Sequence, residues 1–189
     1  APTVTDTSAS IAETASDDDV VVTVDSTGDG TSVTWSITAG NGDAIFAIGA
    51  ATGIITVDDN SNLDYESDAS YDLTVSATDG TTADTEVITI TITDVAPTVT
   101  DADTSLAEAS TYGNVVDLGT TGDTTGLTWS ITGGNENSDS DGTSAFAIAS
   151  ATGIITVSDV DDIDDEVTAD ASFDLVVQAT DGTTADSET

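Results

Sequence analysis

The sequence predicts an all-β chain made of two tandem sandwiches of about seven strands each. Three observations lead there. Apolar residues recur at every second position in short runs, and Thr, Val, Ile, Ser, Gly and Asp dominate the composition. Most of the first half of the chain also recurs in the second. Alternation of period two marks strands with one buried and one wet face, those residue types suit strands and polar turns, and fixed-period recurrence marks repeated structural units. No helical periodicity competes with this pattern.

Taken in order, the strands of the first copy centre near residues 4, 22, 35, 47, 55, 73 and 90. Val33, Trp35 and Ile37 alternate with Thr34, Ser36 and Thr38. Phe46 and Ile48, then Ile55 and Val57, flank Ala51-Thr52-Gly53, a hairpin turn in which Gly supplies positive φ. Tyr71, Leu73, Val75 and Ala77 alternate with polar residues, and so do Ile88, Ile90 and Ile92 in a last strand over residues 86–94. Trp35 and Trp129 sit inside alternating runs and are expected to anchor cores rather than to stack on sugars.

The copies are expected at residues 1–95 and 96–189. Ala-Pro-Thr-Val-Thr-Asp opens at Ala1 and again at Ala96, and Thr34-Trp35-Ser36-Ile37-Thr38 returns as Thr128-Trp129-Ser130-Ile131-Thr132. Ala51-Thr52-Gly53-Ile54-Ile55-Thr56-Val57 returns from Ala151, and Ala77-Thr78-Asp79-Gly80 from Ala179. The offset grows from 94 at the Trp residues to 102 at the Asp-Gly pair, so small loop insertions separate the copies, the largest at residues 133–144. The second copy stops at Ser187-Glu188-Thr189, where its last strand should start. That strand is therefore expected to be missing, leaving an open edge. Either the chain is a segment of a longer tandem array, or another subunit donates the strand.

Charge is the other dominant feature. The chain has 37 Asp plus Glu and no Lys, Arg or His, a formal charge of −37. Self-repulsion then opposes compaction, and no side-chain salt bridge can relieve it. Screening by salt or cations bound between carboxylates can. Hydrophobic residues at 37% argue against a disordered acidic tail. The sign of the charge excludes nucleic-acid binding through phosphate contacts and direct docking on anionic lipid. No apolar run reaches the length of a membrane-spanning helix. Cysteine is absent, which rules out disulfides and thiolate metal sites. Without an initiator Met, Ala1 follows either a cleaved leader or a cut from a longer chain.

An enzyme is not expected. There is no His, Cys or Lys to serve as base or nucleophile. Paired carboxylates can hydrolyse glycosides, but one of them must be held protonated in an apolar pocket, and no acidic residue has such a sequence context. The acidic runs Asp17-Asp18-Asp19 and Asp159 to Asp162 are expected to be solvated loops. The loop at residues 25–30 lacks the terminal Glu that an EF-hand requires.

The order and spacing of the following elements resemble the cadherin family, bacterial and archaeal cadherin-like surface repeats in particular. The first copy carries Phe46-x-Ile48, Thr52-Gly53-x-Ile55, Leu63-Asp64-Tyr65-Glu66, Tyr71-x-Leu73-x-Val75-x-Ala77-x-Asp79-Gly80, Ile90-x-Ile92-x-Asp94 and Ala96-Pro97. The second carries Phe146-x-Ile148, Thr152-Gly153-x-Ile155, Ile163-Asp164-Asp165-Glu166 and Phe173-x-Leu175-x-Val177-x-Ala179-x-Asp181-Gly182. The resemblance implies Greek-key, Ig-like sandwiches joined end to end, with Ca²⁺ at the junctions. Carried over, it implies ligands Glu13, Asp64, Glu66 and Asp94 from the first repeat and Asp181 and Asp123 from the second. Glu108, Asp164 and Glu166 would begin a further junction. The family's Asn-rich linker is absent, replaced by Asp94-Val95-Ala96-Pro97, so one or two ions per junction, or a calcium-free junction held by packing, are the expectations.

The resemblance thus implies an extracellular or cell-surface structural and adhesive module whose partners are neighbouring repeats of the same or identical chains. A self-assembling filament subunit joined by strand donation, with calcium incidental, is the alternative. A carbohydrate-binding module is a third class, for which Tyr65 and Tyr112 are the only candidate platforms.

Overall fold

The computed structural model describes residues 1–5, 7–28, 32–100, 102–106, 113–137, 141–163 and 172–189. Contacts divide the chain into two compact units, Ala1–Val95 and Ala96–Thr189. The described residues form strands, turns and two single turns of 3-10 helix, at Asn60–Asn62 and Asp161–Ile163.

The first unit contains β1 (Pro2–Val4), β2 (Ser8–Ala12), β3 (Val20–Thr23), β4 (Ser26–Gly28), β5 (Thr34–Ala39), β6 (Phe46–Ile48), β7 (Ile54–Val57), β8 (Ser70–Thr78) and β9 (Ala83–Thr93). One sheet runs β2-β9-β8-β5, the other β3-β7-β6, and β1 pairs with β4. All seven positions expected to centre strands lie in strands. The expected number is nevertheless too low, because β2 and β4 were not foreseen. Ser-Ala-Ser-Ile-Ala carries one large apolar residue and Ser-Thr-Gly none, so neither shows alternation. Both exist because a neighbour offers an open edge: β2 runs parallel to β9 from Ser8 opposite Thr89 to Ala12 opposite Thr93.

Alternation places the core. Leu73, Val75 and Ala77 of β8 and Ile88, Ile90 and Ile92 of β9 are at most 1% exposed, and they pack with Ile55 and Val57 of β7. The β6–β7 hairpin pairs Phe46 with Val57 and Ile48 with Ile55. Gly53 closes its turn at φ 68°. Trp35 lies on this turn, so an added Cβ at Gly53 would meet its Cε2 at 3.0 Å and the Val24 carbonyl oxygen at 2.5 Å. Trp35 is thus a core anchor, and Trp129 occupies the same place over Gly153 in the second unit.

The second unit contains β10 (Thr98–Val99), β11 (Asn114–Asp117), β12 (Thr120–Thr121), β13 (Thr128–Gly133), β14 (Phe146–Ile148), β15 (Ile154–Val157), β16 (Val176–Thr180) and β17 (Ala185–Glu188). Its sheets run β13-β16-β17 and β11-β15-β14, and β10 pairs with β12. The last strand, expected to be missing, is present over Ala185–Glu188. Ala179 faces Asp186 in β16–β17 just as Ala77 faces Asp84 in β8–β9. Sequence alternation starts these strands late, at Glu86 and Ser187. The Asp-Gly-Thr-Thr turn before each one starts the pairing earlier, at Ala83 and Ala185.

Candidate metal centre

Glu13 follows β2 and is buried, an unusual place for a carboxylate. Its backbone N–H donates to the Thr93 carbonyl at 3.2 Å, which fixes the side chain beside the end of β9. Oε1 accepts the Val95 N–H at 2.7 Å, and Oε2 accepts the Tyr65 N–H at 2.8 Å. One carboxylate therefore ties together the ends of β2 and β9 and the loop after the first 3-10 turn. Asp59 caps that turn by accepting the Ser61 N–H at 3.0 Å; hydrogen bonds from Ser61 hold its carboxyl below the ordinary value.

Asp64 organises the next loop. Its Oδ1 accepts the N–H groups of Glu66 at 2.9 Å and Ser67 at 3.3 Å, and its Oδ2 accepts the Ser67 hydroxyl at 3.0 Å. This loop carries Glu66 to the surface. Carboxylate oxygens of Glu13 and Glu66 lie within 4.8 Å of one another, as do those of Glu66 and Asp94. Asp94 Oδ1 is buried without a hydrogen-bond partner. At such separations each pair of like charges repels by roughly 1 to 3 kcal/mol, between the dielectric limits of water and a protein surface. Two carboxylates per divalent ion would reverse that sign. The donors are all oxygen, which suits a hard cation such as Ca²⁺ and not a soft one. Glu13, Glu66 and Asp94 therefore fit such an ion chemically; the oxygens of Asp64, like those of Glu13, also accept hydrogen bonds within the unit.

In the second unit Asp123 is buried; its Oδ1 accepts the Thr125 N–H at 2.9 Å and its Oδ2 has no hydrogen-bond partner. Asp181 holds the turn before β17. Its Oδ1 accepts the N–H groups of Thr183 at 2.8 Å and Thr184 at 2.7 Å, and its Oδ2 accepts the Thr184 hydroxyl at 2.7 Å. Burial pushes its carboxyl up, but the Thr184 hydroxyl and the Thr184 and Thr183 N–H groups outweigh that and leave it lowered. Asp79 builds the same turn in the first unit, where the Thr82 and Thr81 N–H groups and the Thr82 hydroxyl bring it to about 2. Glu108, Asp164 and Glu166, and also Tyr112, lie outside the described residues.

Other acidic residues have local duties. Asp17 Oδ1 accepts the Asn60 N–H, and Asp19 Oδ2 accepts the Ser16 N–H, both at 2.9 Å. Asp84 was not singled out from sequence, yet its Oδ2 accepts the Val4 N–H at 2.8 Å, and Asp186 does the same for Val99 at 2.9 Å. The signal was present in the recurrence of Thr-Thr-Ala-Asp after each Asp-Gly. Tyr65 is partly buried against the core and offers no flat exposed platform.

The sequence model of the cadherin domain matches residues 7–93. No curated protein matches the chain. Among solved structures, protocadherin gamma B2 extracellular cadherin domains 3–6 is 23% identical, with 96% of this chain and 43% of that one covered and a TM-score of 0.44. Human protocadherin-24 EC1–2 is 19% identical over 99% of this chain and 92% of that one, with a TM-score of 0.48. Drosophila N-cadherin EC1–4 is 20% identical over all of this chain and 47% of that one, with a TM-score of 0.49. The chain thus spans less than half the length of the first of these proteins.

Proposed function

We propose, from the premise that the first unit is a cadherin-like domain and the second repeats its strand plan, that this chain is a structural and adhesive module of an extracellular or surface protein. Cadherin domains are spacing and adhesion modules rather than enzymes, and the chain's lack of His, Cys and Lys accords with that role. Its partners would be neighbouring repeats of the same or identical chains.

The finer part of the proposal is that Ca²⁺ binds at junctions between repeats, with Glu13, Glu66 and Asp94 as the first repeat's contribution and Asp123 and Asp181 as the second's. One observation carries it: buried Glu13, exposed Glu66 and the unmatched Asp94 Oδ1 converge in a chain that has no cationic side chain to neutralise them. When bound, the ion would offset their repulsion and restrain the Glu66 loop against the end of β9. Extracellular calcium is abundant enough to fill weak sites of this kind. The test is thermal melting at low salt and at high NaCl, each with EDTA or millimolar Ca²⁺. A calcium-specific rise in Tm that disappears in the Glu66→Gln/Asp94→Asn double variant is expected. An equal rise from NaCl alone would mean that screening, not ligation, stabilises the fold, and would sink the calcium site.

A further inference from the structure

Each unit uses an asparagine side chain to hold the start of a core strand. In the first, Asn41 lies between β5 and β6; its Nδ2 donates to the Phe46 carbonyl at 2.6 Å and its Oδ1 accepts the Phe46 N–H at 3.1 Å. In the second, Asn135 does the same for Phe146, at 2.7 and 3.0 Å. The two clamps differ in the residue that follows. Asn41 precedes Gly42, the one Asn-Gly step in the sequence, whereas Asn135 precedes Glu136. The fold does not require that glycine: its φ lies outside the left-handed region, and an added Cβ would meet nothing within 4 Å. Gly42 is exposed, and its N–H has no hydrogen-bond partner among the described residues. At the Asp79-Gly80 and Asp181-Gly182 turns, by contrast, each glycine N–H donates to a threonine hydroxyl, that of Thr78 or Thr180, at 3.1 Å. The Asn41 loop also carries Ala44 at φ 56°, a left-handed conformation unfavourable for alanine.

From this we infer that Asn41 is a site of spontaneous deamidation, restrained by its own grip on Phe46, and that its conversion unclamps a core strand of the first unit. The Gly42 backbone nitrogen attacks Asn41 Cγ and gives up its proton as the Cγ–Nδ2 bond breaks and ammonia leaves. Water then opens the resulting cyclic imide. Opening at Cγ leaves an aspartate at position 41; opening at the backbone carbonyl leaves an isoaspartate, which routes the main chain through an extra methylene. Glycine favours the ring closure because no Cβ crowds the attacking nitrogen. The amide has to turn toward that nitrogen, yet both of its polar atoms are engaged with Phe46, so the reaction proceeds through local opening of residues 41–46. The product cannot restore the clamp. A carboxylate accepts the Phe46 N–H but has no hydrogen to donate to the Phe46 carbonyl, and it adds charge to a chain already at −37. Phe46 is 2% exposed, pairs with Val57 and packs edge-on against Tyr71 with ring centroids 5.4 Å apart, so the loss acts on the core.

The test is incubation of the full chain at mildly alkaline pH below its melting transition, with and without enough urea to unfold it. Peptide mapping by mass spectrometry follows each amide, and an isoaspartyl methyltransferase assay reports the isoaspartate. Conversion at Asn41 is expected well ahead of Asn135, and at least about fivefold faster in urea, where two hydrogen bonds no longer hold the amide. Gly42→Ala, which the loop accommodates, should slow conversion at Asn41 in both conditions, and Glu136→Gly should bring it to Asn135. Asn41→Asp, standing for the product, should lower the Tm of the first unit by at least about 4 °C, read by Trp35 fluorescence in a Trp129→Phe background. No conversion at Asn41, equal conversion at Asn135, or a Gly42→Ala rate equal to that of the parent chain would overturn the site. An equal rate with and without urea, or an unchanged Tm for Asn41→Asp, would overturn the restraint by Phe46 and its consequence for the core.

Discussion

Replacing Glu13 by Gln changes no volume and removes one charge, and the structure fixes what that should cost. Each Glu13 oxygen accepts one backbone N–H, from Val95 at 2.7 Å and from Tyr65 at 2.8 Å, and the side chain is 6% exposed. Gln retains a single acceptor oxygen, so its NH₂ must face one of those N–H groups. One charge-assisted hydrogen bond is lost, and the abandoned N–H is left without its acceptor. Stranding one buried donor costs about 1–3 kcal/mol, and the surviving bond weakens as it loses its ionic character. The sum is about 2–3 kcal/mol, which for a domain of this size lowers Tm by roughly 8–24 °C. Thermal unfolding in EDTA, followed by Trp35 fluorescence in a Trp129→Phe background, isolates the first unit. The neighbouring Asp64→Asn variant, whose bonds are on an exposed loop, should cost much less. A Glu13→Gln change below about 0.5 kcal/mol would refute the view that this carboxylate clamps β2, β9 and the Tyr65 loop together.

Three further outcomes are expected. Gly53→Ala should lose about 2–4 kcal/mol, since φ is 68° and the new methyl meets Trp35 at 3.0 Å, and Gly153→Ala should do likewise against Trp129 at 2.7 Å; denaturant titration of each variant checks this, and unchanged midpoints would contradict the packing. Ile90→Ala, at a position with no exposure, should cost about 2–5 kcal/mol by chemical denaturation of the first unit. On acidification the Asp79 carboxyl is depressed from 3.8 to about 2 by the Thr82 and Thr81 N–H groups, so its contribution is present above pH 3.8 and disappears as pH falls through about 2. Asp181 is lowered in the same direction. Carboxyl NMR titration should show Asp79 titrating at about 2 and Asp181 below the ordinary value of 3.8, and Asp79→Asn should flatten the stability profile only in that acid window.

The comparison with the sequence divides by type of force. Period-two alternation located β8, β9, the Trp strands and the β6–β7 hairpin, because burial of one sheet face imposes that period on side chains whatever the partner strand is. The repeat was legible for the same reason: two copies of one core must keep the same apolar positions. The strands β2 and β4 were not legible, since they are held by backbone pairing with a neighbour and need no apolar pattern of their own. The acidic site was legible only as a set of residue types. In three dimensions Glu13, Asp64 and Asp181 also hold backbone N–H groups, and Asp94 keeps an Oδ1 with no hydrogen-bond partner.

The sequence by itself determined the fold class, the two copies and the uncompensated charge, because composition and periodicity are properties of the chain alone. Which carboxylates clamp backbone and which converge were decided only in three dimensions. Hydrogen bonds and close contacts between residues some eighty positions apart, such as Glu13 with Val95, leave no local trace in the sequence.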